Sequence, residues 1–320
     1  MADFDVFNGD ADGICALTQL RLSEPRQSSL ITGVKRNIGL LKNVTAQPGD
    51  QVTVLDISMD KNRPDLERLL AVGAKVFYVD HHFSGTIPET EKLTALINEA
   101  ADTCTSLLVN QYLENAFAAW AVVGAFGDNL NQQAQALADE ALQCSGTDLK
   151  QLQKLGTYIN YNGYGASVED LHIPPDELFR RTSLYTDPLD FIHLDSEHFD
   201  KLENGYHSDM AAAAEIAAEK TSDTTAVFIL PNEAWARRVS GVFSNQLTND
   251  HPNRAHAVLT ETPQGEYLVS VRAPLNNRQG AADLCRRFPT GGGRAAAAGI
   301  NNLPAGMLAD FIDAFEASYT

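Results

Sequence analysis

The sequence predicts an α/β fold in which an N-terminal parallel-sheet domain is joined by a helical linker to a smaller α/β domain. Three observations predict it. Apolar, β-branched segments alternate with amphipathic helical ones, the pattern of a parallel sheet with crossover helices. The alternation fades near residue 130 and restarts near residue 225. Before the restart lies SDMAAAAEIAAEK (208–220), alanine-rich and free of Gly and Pro, which suits a connecting helix. The boundaries read as 1–200, 201–223 and 224–320, and 320 residues suffice for two compact cores.

The elements follow in order. DFDVF (3–7) is a short strand, GDADG a turn, and ICALTQLRL a helix that stops before Pro25. QVTVLDIS (51–58) is a second strand, ending on Asp56. PDLERLLAVG (64–73) is an amphipathic helix with a glycine stop. KVFYVDHH (75–82) is a third strand, ending on Asp80, His81 and His82. TCTSLLVNQYL (103–113) reads as helical, and the apolar AAWAVVGAFGDN (118–129) ends on Asp128. The stretch to about residue 200 is helical and irregular, and contains the aromatic segment GTYINYNGYG (156–165). Beyond 224, TAVFIL, AHAVLTE and YLVSVRAP are strands; WARRVSGVFSNQL, QGAADLCRRF and roughly 304–318 are helices. Every basic side chain from 225 onward that carries a permanent charge is an arginine, among them Arg272 and Arg294.

Bulk composition excludes several classes. The formal net charge of −18 disfavours long nucleic acid as a partner, so an anionic substrate must be held locally. No apolar run of membrane-spanning length is present. The N-terminus lacks the basic and apolar regions of a signal peptide, so a cytoplasmic location is expected. Cys15, Cys104, Cys144 and Cys285 form no CxxC pair and read as free thiols in a reducing compartment.

Asp10, Asp12, Asp56, Asp80 and Asp128 each lie at or just beyond the C-terminal end of an apolar segment. In a parallel sheet those ends gather at one edge, where ligands bind. Carboxylates so gathered repel one another and have raised pKa values unless a positive charge sits between them. A divalent ion is the economical answer. Carboxylates combined with imidazole suit Mn²⁺, Mg²⁺ or Fe²⁺, and the histidines favour Mn²⁺ over Mg²⁺.

GDADG, VLDIS, VDHHFSG and GDN, in that order, resemble motifs one to four of the DHH phosphoesterase superfamily. SVRAP, followed after a helix by GGGRAAAAGI, resembles the DHH-associated C-terminal (DHHA1) domain. The resemblance implies a two-domain phosphodiesterase or phosphatase like the nanoRNases and dinucleotide phosphodiesterases. It implies Asp10, Asp12, Asp56, His81 and Asp128 as metal ligands, with Asp56 bridging two ions. It also implies Asp80 as an outer carboxylate that orients a ligand or water, and His82 facing the scissile phosphate. Two positions depart from the family pattern. Val6 stands where the first motif carries histidine, followed by the matching polar residue Asn8, so one ion loses its usual imidazole and occupancy is one or two ions. Arg294 stands where the C-terminal signature carries histidine, and still suits phosphate binding.

Gly291, Gly292 and Gly293 read either as a flexible loop before an alanine-packed helix or as a backbone that approaches an anion, with Arg272 on the neighbouring strand. With Asn8, these glycines, Arg272 and Arg294 form the expected substrate-binding set. The expected substrate is a linear 5′-phosphorylated dinucleotide such as pGpG, or a very short oligonucleotide, held between the metal edge and the arginine-bearing domain. Alternatives are 3′-phosphoadenosine 5′-phosphate, a cyclic dinucleotide as in cyclic-di-GMP signalling, and an inactive nucleotide-binding module. A homodimer is the base-rate assembly.

Overall fold

A computed structural model describes residues 1–142 and 144–319. The chain divides into two compact units, Met1–Asn204 and Gly205–Thr320.

In the first unit the elements run β1 (Asp3–Phe7), α1 (Ala11–Ser23), β2 (Ser29–Ile31), β3 (Gln51–Leu55), α2 (Arg63–Val72), β4 (Lys75–Asp80) and β5 (Leu93–Ile97). Six helices follow: α3 (Thr105–Tyr112), α4 (Ala118–Gly127), α5 (Asn131–Ala141), α6 (Gly146–Asn162), α7 (Pro175–Thr182) and α8 (Pro188–Leu194). A further helix, α9 (Ser196–Ala214), contains the boundary between the units. The sheet order is β2-β1-β3-β4-β5, with every neighbour pair parallel. In this doubly wound order the strand direction of travel reverses between β1 and β3, which opens a crevice at their C-terminal ends. Alternation on β1 sends Val6 into the sheet core with Val52, Val54, Leu41 and Leu66, while Asp5 faces the other way.

Asp5 is nonetheless buried, because Arg21 of α1 meets it. The Arg21 guanidinium donates Nε to Asp5 Oδ2 at 2.8 Å and Nη2 to Asp5 Oδ1, and Nη2 also donates to Thr53 Oγ1 at 3.0 Å. Ser28 Oγ donates to the same carboxylate at 2.5 Å. This network pins the C-terminal half of α1 over β1 and β3, and so fixes where the N-terminus of α1 points. The other faces of α1 pack against α3 and α4 through small residues. A Cβ on Gly127 would lie 2.3 Å from the Ala11 Cβ, and one on Gly156 would lie 2.3 Å from the Val123 carbonyl oxygen. Glycine is therefore required for α1, α4 and α6 to approach this closely.

The second unit begins within α9 and continues with β6 (Lys220–Thr221), β7 (Thr225–Leu230), α10 (Ala234–Asp250), β8 (Ala255–Glu261) and β9 (Tyr267–Arg272). It ends with α11 (Ala281–Cys285), β10 (Gly291–Gly293), β11 (Ala297–Leu303) and α12 (Leu308–Ser318). Its sheet order is β10-β11-β9-β8-β7-β6; β7 and β8 are parallel and the remaining neighbours antiparallel. Val269, Val271, Ile300, Phe311 and Phe315 lie in its core.

Two local expectations are corrected, and three elements that the sequence left unassigned are placed. The apolar segment ending on Asp128, whose secondary structure the sequence leaves open, is the helix α4; a segment buried on all sides has no polar face from which its period can be read. The alanine-rich helix stops at Ala214, and Lys220–Thr221 pairs antiparallel with β7, where sheet pairing outweighs helix propensity. The glycine run is neither a free loop nor the start of a helix: Gly291–Gly293 and Ala297–Leu303 are paired edge strands. A Cβ on Gly291 would lie 1.8 Å from the Cys285 carbonyl oxygen, so its glycine serves close backbone packing. Edge strands β2 and β5 carry no clear signal, being short or continuous with polar flanks.

Removing the Asp5 carboxylate leaves the buried Arg21 charge uncompensated. Asp5→Ala is expected to destabilise the fold by about 3–5 kcal/mol, read as a lower urea midpoint at unchanged slope.

Candidate metal centre

The C-terminal ends of β1, β3 and β4 supply the site. After β1 the chain turns through Asn8 and Gly9 into α1. Asp10 is the N-cap of that helix and accepts from the Gly13 amide at 3.1 Å. Asp12 lies in the first turn, where the helix dipole favours an acid. Its two oxygens accept from the amides of Thr105 and Ser106, both at 2.7 Å, so Asp12 caps the N-terminus of α3 from outside that helix. Asp56 follows β3 directly, with a φ of 59°. A non-glycine residue in the left-handed region is held there by its surroundings, and such strain clusters at functional sites. Its amide donates to Val79 at 3.1 Å, and its Oδ1 accepts from Thr105 Oγ1 at 3.1 Å.

Asp80 is the last residue of β4 and is fully buried; His81 and His82 follow it. His81 Nε2 lies 3.5 Å from Asp56 Oδ1, 3.9 Å from Asp12 Oδ2 and 3.9 Å from Asp128 Oδ2. Asp128 arrives from the C-terminal end of α4. The structure thus brings Asp12, Asp56, His81 and Asp128 around one point, and α3 and α4 complete what the sheet begins. Asp56, His81 and His82 also offer ligand atoms within 4.8 Å of one another. The Nδ1 of His82, however, is engaged by Asp80 Oδ1 at 2.7 Å and lies 3.9 Å from Asp56. Asp80 thereby holds the His82 ring, while its Oδ2 is buried and has no hydrogen-bond partner. Three carboxylates and one imidazole are a donor set of the chemistry that a divalent ion requires.

Asp10 lies beside this group, its carboxyl hydrogen-bonded to that of Asp56, and it is also paired with a lysine. Its Oδ2 accepts from Lys35 Nζ at 2.5 Å. The same ammonium donates to Asn160 Oδ1 at 2.8 Å, lies 3.8 Å from Asp128 Oδ1, and sits 5.7 Å from the centroid of the Tyr164 ring. Lys35, Thr105 and Asn160 were not among the residues expected from the sequence. Asn160 and Tyr164 belong to the aromatic segment noted above, whose polar atoms converge on Lys35. Asn8 donates Nδ2 to the Lys35 carbonyl at 3.3 Å, and its Oδ1 is buried without a partner.

The remaining expected residues lie in the second unit. Arg272 ends β9, opposite Ala297 and His256, and donates Nε to Asn245 Oδ1 at 2.8 Å. Arg294 is exposed in the turn between β10 and β11, where its amide donates to the Ala297 carbonyl at 2.9 Å.

Charge crowding shows in the acid strengths. Burial, then repulsion from Asp12, Asp10, Asp80 and Asp128, pushes the Asp56 carboxyl well above the usual range. Burial opposed by Lys35, with Asp12 and Asp10 adding repulsion, raises Asp128 to about 6. Burial would also raise Asp10, but the Lys35 charge and hydrogen bond outweigh it and hold the group low. Burial would lower Lys35, yet Asp10 keeps its pKa well above the usual lysine value. The His82 pKa is raised: burial opposes the shift, and the hydrogen bond and charge of Asp80 outweigh it.

A carboxyl whose folded pKa exceeds its unfolded value of about 4 binds more protons folded than unfolded between those two values. For Asp128 the metal-free protein therefore loses stability as pH rises from about 4 through about 6. A cation needs these groups deprotonated. The rise in melting temperature caused by Mn²⁺ is expected to be larger at pH 7.5 than at pH 5.5; an equal rise at both, by differential scanning fluorimetry, would count against the site.

No family model and no curated protein matches the chain in sequence. Solved structures do match in fold. A DHH-domain structure from a member of a family of ribosomal proteins superposes with a TM-score of 0.67 at 14% identity, over 99% of this chain and 86% of that one. The exonuclease RecJ bound to manganese gives 0.66 at 16%, over 99% and 89%. A pGpG-specific phosphodiesterase from Vibrio cholerae gives 0.56 at 14%, over 99% and 98%. The structure thus bears out the two-domain α/β architecture that the motifs imply, and in fold the chain is similar to these DHH-domain structures.

Proposed function

We propose that this chain is a metal-dependent phosphodiesterase that hydrolyses short linear 5′-phosphorylated dinucleotides, such as pGpG, to mononucleotides. One observation carries the reading. A group of three carboxylates and an imidazole stands at the switch point of a parallel sheet, next to a second imidazole oriented by a buried carboxylate. Similarity in fold to a pGpG-specific phosphodiesterase supports it. Imidazole in the donor set, together with the manganese of the RecJ structure, supports Mn²⁺ over Mg²⁺.

Asp12, Asp56, His81 and Asp128 would hold the ion. Bound there, it supplies Lewis-acid polarisation of a phosphoryl oxygen and lowers the pKa of a water nucleophile. The protein side chains divide the rest of the work. Asp80 takes the Nδ1 of His82, which leaves Nε2 to meet a phosphoryl oxygen or to give its proton to the leaving oxygen. Asp80 thus acts on a histidine, where the family resemblance pointed to a carboxylate that orients a ligand or water. Asn8, Arg272, Arg294 and the backbone of Gly291–Gly293 are proposed as substrate-binding groups. Arg294 is exposed and forms no ion pair among the described residues, which suits a phosphate. The strong negative charge of the chain fits a small substrate better than a long strand.

Asp56→Ala and His81→Ala are expected to abolish Mn²⁺-dependent turnover of pGpG, and turnover of wild type should fall steeply from two- to five-nucleotide RNA. His82→Ala should lower kcat by about 10²–10³-fold and Asp80→Asn by about 10–100-fold. Product analysis checks each. Release of phosphate from 3′-phosphoadenosine 5′-phosphate with pGpG left intact would replace this reading with a phosphomonoesterase. Binding of pGpG without turnover in Mn²⁺ or Mg²⁺ would replace it with a nucleotide-binding module.

A further inference from the structure

We propose that the Lys35 ammonium is a built-in counter-cation which fills the Asp10 side of the centre, so that the chain binds a single divalent ion at Asp12, Asp56, His81 and Asp128. The inference rests on the metal-site reading above and concerns how many ions that site takes.

Three features of the Asp10 side fit an ammonium and not a second metal ion. The first is the donor set. Asp10 gives one oxygen to the Gly13 amide and the other to Lys35, and its carboxyl also meets that of Asp56, so the acid next to Asp56 on this side is already matched by an ammonium. The residue on β1 from which an imidazole would be expected is Val6, and its side chain is wholly buried in the sheet core. The second is the seat of the ammonium. Lys35 Nζ meets a carboxylate at 2.5 Å, an amide oxygen at 2.8 Å and the face of the Tyr164 ring at 5.7 Å. A carboxylate, a neutral oxygen and an aromatic face suit a hydrogen-bonding monovalent cation. The third is the fixed backbone. The Lys35 amide donates to the Gly163 carbonyl at 2.8 Å, and its own carbonyl accepts from Asn8. The side chain therefore starts from a tethered position, between two segments that flank the centre.

The electrostatic consequence is specific. Lys35 neutralises Asp10 and reaches Asp128 at 3.8 Å, so it reduces the negative potential that a metal ion would feel. A unit charge at this range changes divalent-ion affinity on the order of tenfold.

The test is a count of ions on the full chain, stripped of metal and titrated with Mn²⁺ by calorimetry, with electron paramagnetic resonance of the saturated sample. The wild type is expected to take one ion per chain and to show a mononuclear Mn²⁺ spectrum. Lys35→Ala is expected to bind the first ion about tenfold more tightly and to admit a second, with exchange-coupled features; Lys35→Arg should keep the count at one. Two ions in the wild type, with a coupled spectrum, would overturn the inference and leave the phosphodiesterase reading standing. So would a Lys35→Ala protein that binds one ion with unchanged affinity. No binding to the folded wild type would overturn the metal-site reading itself. The wild-type count decides the matter even where a variant fails to fold.

Discussion

Everything at the switch point depends on mutual repulsion among buried carboxylates. Asp10, Asp12, Asp56 and Asp80 are each at most slightly exposed, and Asp128 joins them from α4. Ionised acids this close raise one another's pKa unless opposite charge or hydrogen-bond donors compensate. The fold supplies a different compensation to each. Asp12 receives two amides from the start of α3. Asp10 receives an amide and an ammonium. Asp80 accepts from the Nδ1 of His82. Asp56 has a hydroxyl, neighbouring imidazoles and the Asp10 carboxyl, with no amide or ammonium among its described partners, and burial with the surrounding acids pushes its carboxyl well above the usual range. Four neighbouring carboxylates bear on Asp56, so a cation bound beside it relieves that repulsion.

Helix α1 is the part that both ends of this arrangement share. Its first turn carries Asp10 and Asp12, and its last turn carries Arg21. The buried Arg21–Asp5 pair is a costly way to hold a helix on a sheet, since an apolar contact of equal volume would often serve stability as well. It does fix the rotation and height of the helix, because a bidentate pair has one good geometry. Glycines in α4 and α6 then let those helices close on α1. Placement of two carboxylates at the sheet edge is thus enforced from the far end of the helix.

The acidic surface and the local cation also belong together. A chain with a net charge of −18 repels extended polyanions, while a single lysine seated among carboxylates provides positive charge only where it is shielded from solvent on one side. The arginines of the second unit extend the same logic, for they supply all of its cationic side chains beyond residue 225 other than histidine.

The sequence by itself determined which acids and imidazoles the fold gathers at one edge. β-branched alternation marked β1, β3 and β4, and the acids and imidazoles immediately after them could be read as a group because strand ends of a parallel sheet share an edge. Periodicity is a local signal, and what it cannot encode is which distant side chain faces a given atom. Lys35 lies 25 positions from Asp10 and 125 from Asn160, and nothing in the spacing links them. The helical state of the segment before Asp128, the capping of α3 by Asp12 and the edge pairing of the glycine run were likewise decided by tertiary packing. In each case buried polar groups had to find partners wherever the folded chain offered them, and small residues allowed backbones to approach where larger ones would have kept them apart.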